Sequence, residues 1–258
     1  MYHPFSIAET IRTAWNIIKK NYIILIVFTM VTFAGEIAKT YLSEYFVQDS
    51  IGVQIAGAQI ISIIATYLTL SFYKLLLTLI DREFYEFELK DIIPSFKMVI
   101  YAVLIVIIFR LLITTFDFVN TRLIHNSIVA YVLLFIQDIA IVYFGIRFIF
   151  CLCFIVDDDS GPVESLRQSF TITRNNFFKL LAMVLIVFAF VAIVLAVLAA
   201  GMTFFIDEDS NIRDYAFEFA AIFWFAIAFP TVQVMIITTY RKLVYSHQDV
   251  DEDVSETL

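Results

Sequence analysis

The chain has 258 residues, of which 61% are hydrophobic and only 16% are charged, and its mean hydropathy is +0.88. A soluble domain is nearer half apolar and a quarter charged, so this composition excludes a soluble globular protein and indicates lipid as the solvent. The net charge of −8 comes largely from the C-terminal segment and from Asp157–Asp159. The sequence has no basic nucleic-acid footprint, so we expect no nucleic-acid partner.

The apolar stretches are long enough to cross a membrane. A spanning helix needs roughly 20 apolar residues, because the hydrocarbon core is about 30 Å thick and a helix rises about 1.5 Å per residue. We predict spans over residues 22–45, 53–80, 98–118, 127–156, 178–205 and 215–240. The predicted fold is an all-α polytopic membrane protein with one domain over residues 1–245, followed by a disordered acidic tail over residues 246–258.

A charged segment, Ser6–Lys20, precedes the first span and has the pattern of a helix that lies on a membrane surface. Ser6 and Glu9 have the spacing of a capping box at its start. The apolar stripe of this helix comprises Ile7, Ile11, Trp15, Ile18 and Tyr22. A basic face lies opposite, which is typical of an interfacial helix. A surface helix packed on the protein's own bundle has the same pattern, so both interpretations stay open.

The same pattern returns at Ser160–Phe177, with an offset of 155 residues. The paired positions include Glu9 with Glu164, Arg12 with Arg167, Trp15 with Phe170 and Asn21 with Asn176. A weaker third copy at Glu88–Lys97 suggests repeat units of about residues 6–80, 88–156 and 161–242, and therefore two or three amphipathic interfacial helices. We predict that Trp15 and Phe170 are interfacial anchors.

The basic residues between the spans predict the orientation of the chain in the membrane. Eleven lie on one side of the predicted spans, and three, Lys39, Arg122 and Arg213, lie on the other. We therefore predict a multi-pass protein of the cell (inner or plasma) membrane with both termini in the cytoplasm. The first apolar run lacks a small-residue cleavage site, so we expect a retained anchor.

Charged side chains inside the spans are candidate site residues, because they are costly in lipid and usually face the interior of a bundle. Arg110 and Asp138 lie in neighbouring spans, at heights that differ by roughly 6 Å if the loop is centred near Arg122. We predict an intramembrane polar cluster in which Arg110 pairs with Asp138 and Glu36 lies at a similar depth. A structural ion pair and a transport or binding site both fit this pattern.

A second set of basic residues is predicted to contact lipid headgroups. Lys74 and Arg147 lie late in the second and fourth spans, where a long side chain can extend toward the cytoplasmic surface. Together with Arg167 and Arg174, they are candidate ligands for phospholipid phosphate. Simple anchoring of the helices is the alternative.

The sequence lacks the usual signatures of catalysis. It contains no Gly-rich phosphate loop and no HExxH motif. The three histidines, His3, His125 and His247, are far apart, and Cys151 and Cys153 lie in an apolar run where cysteine usually packs as a small hydrophobe. We expect no catalytic residues, no metal and no cofactor.

The stretch Arg147–Phe177 resembles a family of bacterial six-span membrane proteins. The pattern is an arginine late in a span, an acidic residue, Gly-Pro, and a Leu-x-x-Ser-aromatic helix that ends in Asn-aromatic. The opening helix, with Trp15 and Lys-Lys-Asn-Tyr, is similar to the family's N-terminus. In some bacteria this domain precedes a glycerophosphodiester phosphodiesterase domain, and in others it stands alone. The resemblance implies the fold and the membrane location. The chain ends soon after the sixth span, so we expect no catalytic domain.

We interpret the chain as a non-enzymatic integral membrane protein that interacts with lipids or with membrane partners. The wide interfacial helices motivate this interpretation. A small-solute or lipid transporter that uses the buried charges is the alternative, motivated by the internal repeat. Membrane lipids are the expected partners, and a homo-oligomer or a second membrane protein also fits.

Overall fold

The computed structural model describes residues 6–46, 51–81, 89–123, 127–205 and 212–255. Every regular element within these ranges is helical, so the predicted all-α fold is confirmed. The helices are α1 (Ile7–Phe46), α2 (Ile51–Asp81), α3 (Phe96–Leu123), α4 (Ser127–Arg147), α5 (Cys151–Asp157), α6 (Pro162–Arg174), α7 (Phe177–Phe205) and α8 (Ile212–Ser255), with a 3₁₀ turn at Leu89–Asp91.

Six segments of the described chain are long and apolar enough to cross a membrane. They are Ile7–Gly35, Gln59–Asp81, Phe96–Asn120, Val129–Asp157, Phe177–Phe204 and Phe217–Val244. The prediction of six spans is confirmed. Their composition explains why they are helical, because a helix satisfies its own backbone hydrogen bonds where no water is present.

In both strong copies of the sequence pattern, an asparagine lies where the predicted surface helix meets the predicted span. Within α1, Asn21 has a non-helical backbone, with φ −118° and ψ 19°. Its Nδ2 donates to the carbonyl of Ile17 at 3.1 Å, so the side chain competes with the helical hydrogen bonds. In the second copy, residues 175–176 separate α6 from α7.

The third copy, predicted as a short interfacial helix over Glu88–Lys97, does not form a continuous helix. Of this range the structure describes residues 89–97, which make the 3₁₀ turn and reach α3 only at Phe96. Pro94 is the physical reason, because it lacks an N–H group and disfavours a helical conformation at the residue before it. The carbonyl of that residue, Ile93, accepts a hydrogen bond from Lys74 Nζ at 2.9 Å.

The acidic C-terminal segment follows the sixth span. α8 is assigned as far as Ser255, residues 256–258 lie outside the described ranges, and disorder from residue 246 onward stays a prediction. Extending an existing helix adds one hydrogen bond for each residue that is fixed, so elongation is easier than nucleation.

The chain packs as two compact units. Unit 1 lies within residues 1–61, 76–86 and 178–258. In unit 1, α1 packs antiparallel to α8: Glu9 Oε1 accepts from Lys242 Nζ at 2.6 Å, and the rings of Phe33 and Phe225 lie 5.1 Å apart. Trp224 Nε1 donates to the carbonyl of Val191 at 3.0 Å and so joins α8 to α7.

Unit 2 lies within residues 62–75 and 87–177. It contains α3 to α6 and the middle of α2. Its core includes the fully buried side chains of Phe72, Phe150 and Ile155. Cys151 and Cys153 are buried in the same unit and form no disulfide, in agreement with their predicted packing role.

Replacing Trp224 with Phe tests the contact between α7 and α8. The variant loses the bond to the Val191 carbonyl, and we expect it to lower the free energy of unfolding by about 1 kcal/mol, in the range measured for hydrogen bonds between membrane helices. Equilibrium unfolding in mixed detergent micelles measures this change.

The second tryptophan provides the control. Trp15 is 47% exposed, and its indole forms no hydrogen bond with the described residues, so Trp15→Phe should leave the stability nearly unchanged. Equal losses in the two variants would contradict a structural role for the Trp224 bond.

Candidate functional site around Arg147

The uniform apolar run predicted one continuous helix for the fourth span. The structure instead has a break, because α4 ends at Arg147 and α5 begins at Cys151. At the break, the Cys151 N–H donates to the carbonyl of Phe148 at 3.0 Å rather than to a carbonyl four residues back. The Arg147 carbonyl therefore loses its normal helical donor. An unsatisfied backbone group in an apolar surrounding costs about 1–3 kcal/mol, so the break needs partners from elsewhere.

Ser169, on α6, supplies those partners. Its Oγ donates to the Arg147 carbonyl at 2.8 Å and accepts from the Phe150 N–H at 3.2 Å. Thr173 Oγ1 lies 3.3 Å from the same Arg147 carbonyl, although its 2.8 Å contact with the Ser169 carbonyl is the shorter one. The serine of the Leu-x-x-Ser-aromatic motif is thus explained by the helix break that it satisfies.

The side chain of Arg147 lies among aromatic rings and is only 9% exposed. The distances from Cζ to the ring centroids are 5.2 Å for Tyr143, 4.9 Å for Phe170 and 5.0 Å for Phe177. We call these three rings the aromatic cage. Each cation–π contact contributes about 0.5–2 kcal/mol, with the larger values where water is excluded.

The cage does not satisfy the hydrogen-bonding capacity of Arg147. Nε and Nη1 are completely buried and have no acceptor among the described residues. A guanidinium carries five N–H donors and a permanent positive charge. A buried cation without a counter-ion is strongly unfavourable, and ring faces offset only part of that cost. The arrangement therefore favours an anionic oxygen ligand.

The other predicted headgroup contacts lie in different surroundings. Lys74 donates to the Ile93 carbonyl at 2.9 Å. Arg167 and Arg174 are exposed on α6, the helix that carries Phe170, and are not part of the cage. Among the four basic residues predicted for headgroups, Arg147 is the one that the cage encloses.

The predicted pair of Arg110 and Asp138 is not brought together. Both side chains are exposed, and neither forms an ion pair with any described residue. Glu36 lies in α1, but its side chain is outside the described part of the structure. The polar contact that does join α3 and α4 is between Gln137 Nε2 and Asp117 Oδ1, at 2.8 Å.

The register of the α3–α4 hairpin explains why Arg110 does not meet Asp138. The Gln137–Asp117 bond and the ring contact of Phe109 with Phe148 place Arg110 opposite residues 144–147. Asp138 is then six to nine residues nearer the turn, a height difference of roughly 9–14 Å at about 1.5 Å per residue. The expected 6 Å assumed a turn centred near Arg122, which put Asp138 farther from the turn than Arg110, whereas the two contacts put Asp138 nearer to it.

The two helices predicted to be interfacial bury small residues and expose large ones. Thr10 and Ala14 of α1 are completely buried, and so are Ser165 and Ser169 of α6. The predicted anchors lie on other faces, since Trp15 is 47% exposed and Phe170 is 37% exposed. The helices therefore pack on the protein through a narrow small-residue face and leave an aromatic face uncovered.

Sequence reasoning missed several residues of the site. Tyr143 carries a detectable signal, because it precedes Arg147 by one helical turn and such residues lie side by side. Phe177 closes the Asn-aromatic end of the motif, but nothing in the sequence showed that it faces Arg147. The described residues contain no group of His, Cys, Asp and Glu side chains that could hold a metal ion.

The six apolar helices define a polytopic α-helical membrane protein. Within that class, the chain belongs to the family described as the membrane domain of glycerophosphoryl diester phosphodiesterase, which matches residues 116–257. No curated protein and no solved structure matches the chain. The resemblance drawn from Arg147–Phe177 is confirmed, and the matched region includes the helix break, Ser169 and the aromatic cage.

Ser169→Ala tests the role of the serine at the break. The change leaves the Arg147 carbonyl and the Phe150 N–H without their partner, so we expect a loss of about 1–3 kcal/mol in the free energy of unfolding. Amide hydrogen exchange gives a local measurement, because the Phe150 amide should exchange faster than in the wild type.

Thr171→Ala on the same helix is the matched control, because the Thr171 hydroxyl is exposed and bonds only to the carbonyl of Arg167 among the described residues. Its effect should stay within about 0.5 kcal/mol. An unchanged exchange rate at Phe150 in Ser169→Ala would show that the break is satisfied in another way.

Proposed function

We propose that this chain is a non-enzymatic protein of the bacterial cell membrane that binds lipids through two interfacial helices on the cytoplasmic side. These helices are residues 7–20 of α1 and all of α6. The observation that carries the proposal is the division of each helix into two faces. Small residues pack against the protein, whereas aromatic and basic residues remain exposed.

In α1, the exposed face is centred on Trp15. Lys19 Nζ lies 5.4 Å from the centroid of this ring, and Arg12 and Lys20 are exposed nearby. An indole body with a basic rim suits the boundary between apolar and polar lipid regions. Each basic residue near an anionic lipid surface contributes about 1 kcal/mol of attraction.

The exposed face of α6 has the same chemistry. Val163 is 77% exposed and Phe170 is 37% exposed, while Arg167 and Arg174 supply the positive charges. Lipid contact gives these apolar groups an environment that water does not, at about 25 cal/mol for each Å² of apolar surface removed from water.

The burial pattern also supports an internal repeat. At the offset of 155 residues, Thr10 corresponds to Ser165 and Ala14 to Ser169, and all four are fully buried. Asn21 and Asn176, where the two surface helices end, correspond at the same offset. We propose that the first and third repeat units are copies, whereas the second has lost its surface helix to Pro94.

We also propose that the chain is not an enzyme. The family match covers a membrane domain, and the family description assigns the phosphodiesterase activity to the protein that carries such a domain. The charged groups of the matched region are distributed over spans, the proposed interfacial helix α6 and the acidic segments.

A transporter is the second candidate. The observation that favours it is the polar contact between Asp117 and Gln137, which lies at nearly the height of Asp138 within two spans of unit 2. Ionisable residues at that depth often mark a path for an ion or a solute. Proteoliposome flux that is lost in Asp138→Asn would favour transport over lipid binding alone.

We propose a cytoplasmic location for both interfacial helices because of the eleven-to-three distribution of basic residues. Two ion pairs in unit 1 support the same topology. Lys242 pairs with Glu9, and Arg241 pairs with Asp81. Each pair joins segments that the sequence assigns to one side of the membrane.

Bromolipid quenching tests the lipid contact of Trp15. In a Trp224→Phe background, Trp15 is the single tryptophan of the chain. We expect lipids brominated near the headgroup to quench its fluorescence more than lipids brominated near the end of the acyl chain, because an interfacial helix lies about 5–10 Å into the boundary region. The measurement uses the full chain in nanodiscs that contain phosphatidylglycerol.

A parallel sample with Arg12, Lys19 and Lys20 changed to Gln tests the basic rim. Its quenching should lose sensitivity to the anionic lipid fraction, whereas the wild type should gain quenching as that fraction rises. Quenching of Trp15 by aqueous acrylamide, with no effect of either bromolipid, would contradict lipid binding by α1.

Thiol labelling tests the orientation. In a background without Cys151 and Cys153, we expect Arg122→Cys to react with a membrane-impermeant maleimide in intact cells. Lys20→Cys should react only after the cells are permeabilised, because the loop charges place it in the cytoplasm. The reverse labelling pattern would contradict the proposed cytoplasmic helices.

A further inference from the structure

We infer that Arg147 and the aromatic cage form a binding site for one phosphate group, supplied by an anionic phospholipid of the adjacent leaflet. This inference deepens the proposed lipid interaction and rests on it. It concerns a defined site with fixed stoichiometry, whereas the exposed faces of α1 and α6 provide a general affinity for the membrane surface.

The unsatisfied donors of Arg147 are the first argument. Nε and Nη1 are buried without an acceptor among the described residues, and the side chain is only 9% exposed. The rings stabilise the charge but exclude water that would otherwise bond these nitrogens. Excluding water also strengthens the attraction of an anion, because Coulomb energy rises as the effective dielectric constant falls.

The position of the cage is the second argument. Arg147 is the last residue of α4, at the break in the fourth span, and Phe170 belongs to α6, the proposed interfacial helix. We infer headgroup depth for the cage because α6, which supplies Phe170, is the proposed interfacial helix. Phe170 is 37% exposed, so one wall of the cage reaches the protein surface, where a headgroup can approach.

The surface next to the cage suits the rest of a lipid. On α4, the two neighbours of Tyr143 in the sequence are exposed, Val142 by 55% and Phe144 by 45%. Both belong to unit 2 with the cage and offer an apolar surface for an acyl chain. A free phosphate ion makes no use of that surface.

The choice of phosphate over carboxylate follows from the ligand chemistry. A planar guanidinium matches two oxygens on one phosphorus or one carboxyl carbon. Among nearby carboxylates in unit 2, Asp159 already pairs with Lys97 at 2.7 Å. Phosphate is the anion that a membrane supplies at headgroup depth, so a phospholipid is the source that the location favours.

Native mass spectrometry of the full chain in mild detergent tests the site. After delipidation, the protein is offered phosphatidylglycerol, diacylglycerol or inorganic phosphate in separate samples. We expect one phosphatidylglycerol per chain, no retained diacylglycerol, and no displacement of the lipid by inorganic phosphate at equal concentration. Equal binding of inorganic phosphate would overturn the lipid source, and equal binding of diacylglycerol would overturn the role of the phosphate.

Two variants of Arg147 are compared with one control. Arg147→Gln removes the charge and the fork of donors, and we expect a loss of affinity of roughly tenfold or more, as for other hydrogen bonds to charged groups. Arg147→Lys keeps the charge but loses the planar fork, so its loss should be intermediate. Lys97→Gln removes an exposed charge of unit 2 that pairs with Asp159 outside the cage, and its lipid affinity should stay within about twofold of the wild type.

Unchanged lipid retention in Arg147→Gln, or an equal loss in Lys97→Gln, would overturn the assignment. If Arg147→Gln does not fold, phosphorus NMR of the wild type decides the question. A bound resonance that is distinct from the bulk lipid and saturates at one per chain supports the site, and a single bulk resonance overturns it.

The two lipid proposals fail in different ways. Loss of the Arg147 site leaves the bromolipid quenching of Trp15 unchanged, because Trp15 belongs to α1 in unit 1. Failure of the interfacial proposal would appear in that quenching, whatever Arg147 binds.

Discussion

The packing of unit 2 depends on the two hydrogen bonds of the Ser169 hydroxyl. It donates to the Arg147 carbonyl and accepts from the Phe150 N–H, two backbone groups that the break in the fourth span leaves without helical partners. A membrane supplies no water for such groups, so a break is stable only where protein atoms satisfy it. The serine therefore fixes α6 against the end of α4, and this contact places Phe170 over Arg147.

The break and the cage are consequences of one arrangement. Because α4 stops at Arg147, its side chain lies beside α6, where three rings surround the guanidinium. The same helix that satisfies the backbone on its buried face presents Arg167 and Arg174 on its exposed face. The short helix α6 thus satisfies the helix break, contributes a ring to the cage and leaves a basic face exposed.

The hairpin of α3 and α4 shows how strongly register controls polar contacts inside a membrane. Asp117 meets Gln137, while Arg110 and Asp138 are separated by more than one helical turn. The sequence contains all four residues, but their pairing depends on where the turn falls. A shift of a few residues in the turn changes which side chains meet, because each residue adds about 1.5 Å along both helices.

The sequence by itself determined the all-α fold and the six spans, which follow from apolar length and helical periodicity. The family followed from the resemblance carried by the motif at Arg147–Phe177. Only the tertiary structure decided the break after Arg147, the cage and the partner of Asp117. An apolar run such as Ile146–Val156 reads as one helix, and the sequence does not show that a serine 22 residues beyond Arg147 satisfies its carbonyl. Contacts between distant segments depend on packing, which local patterns do not record.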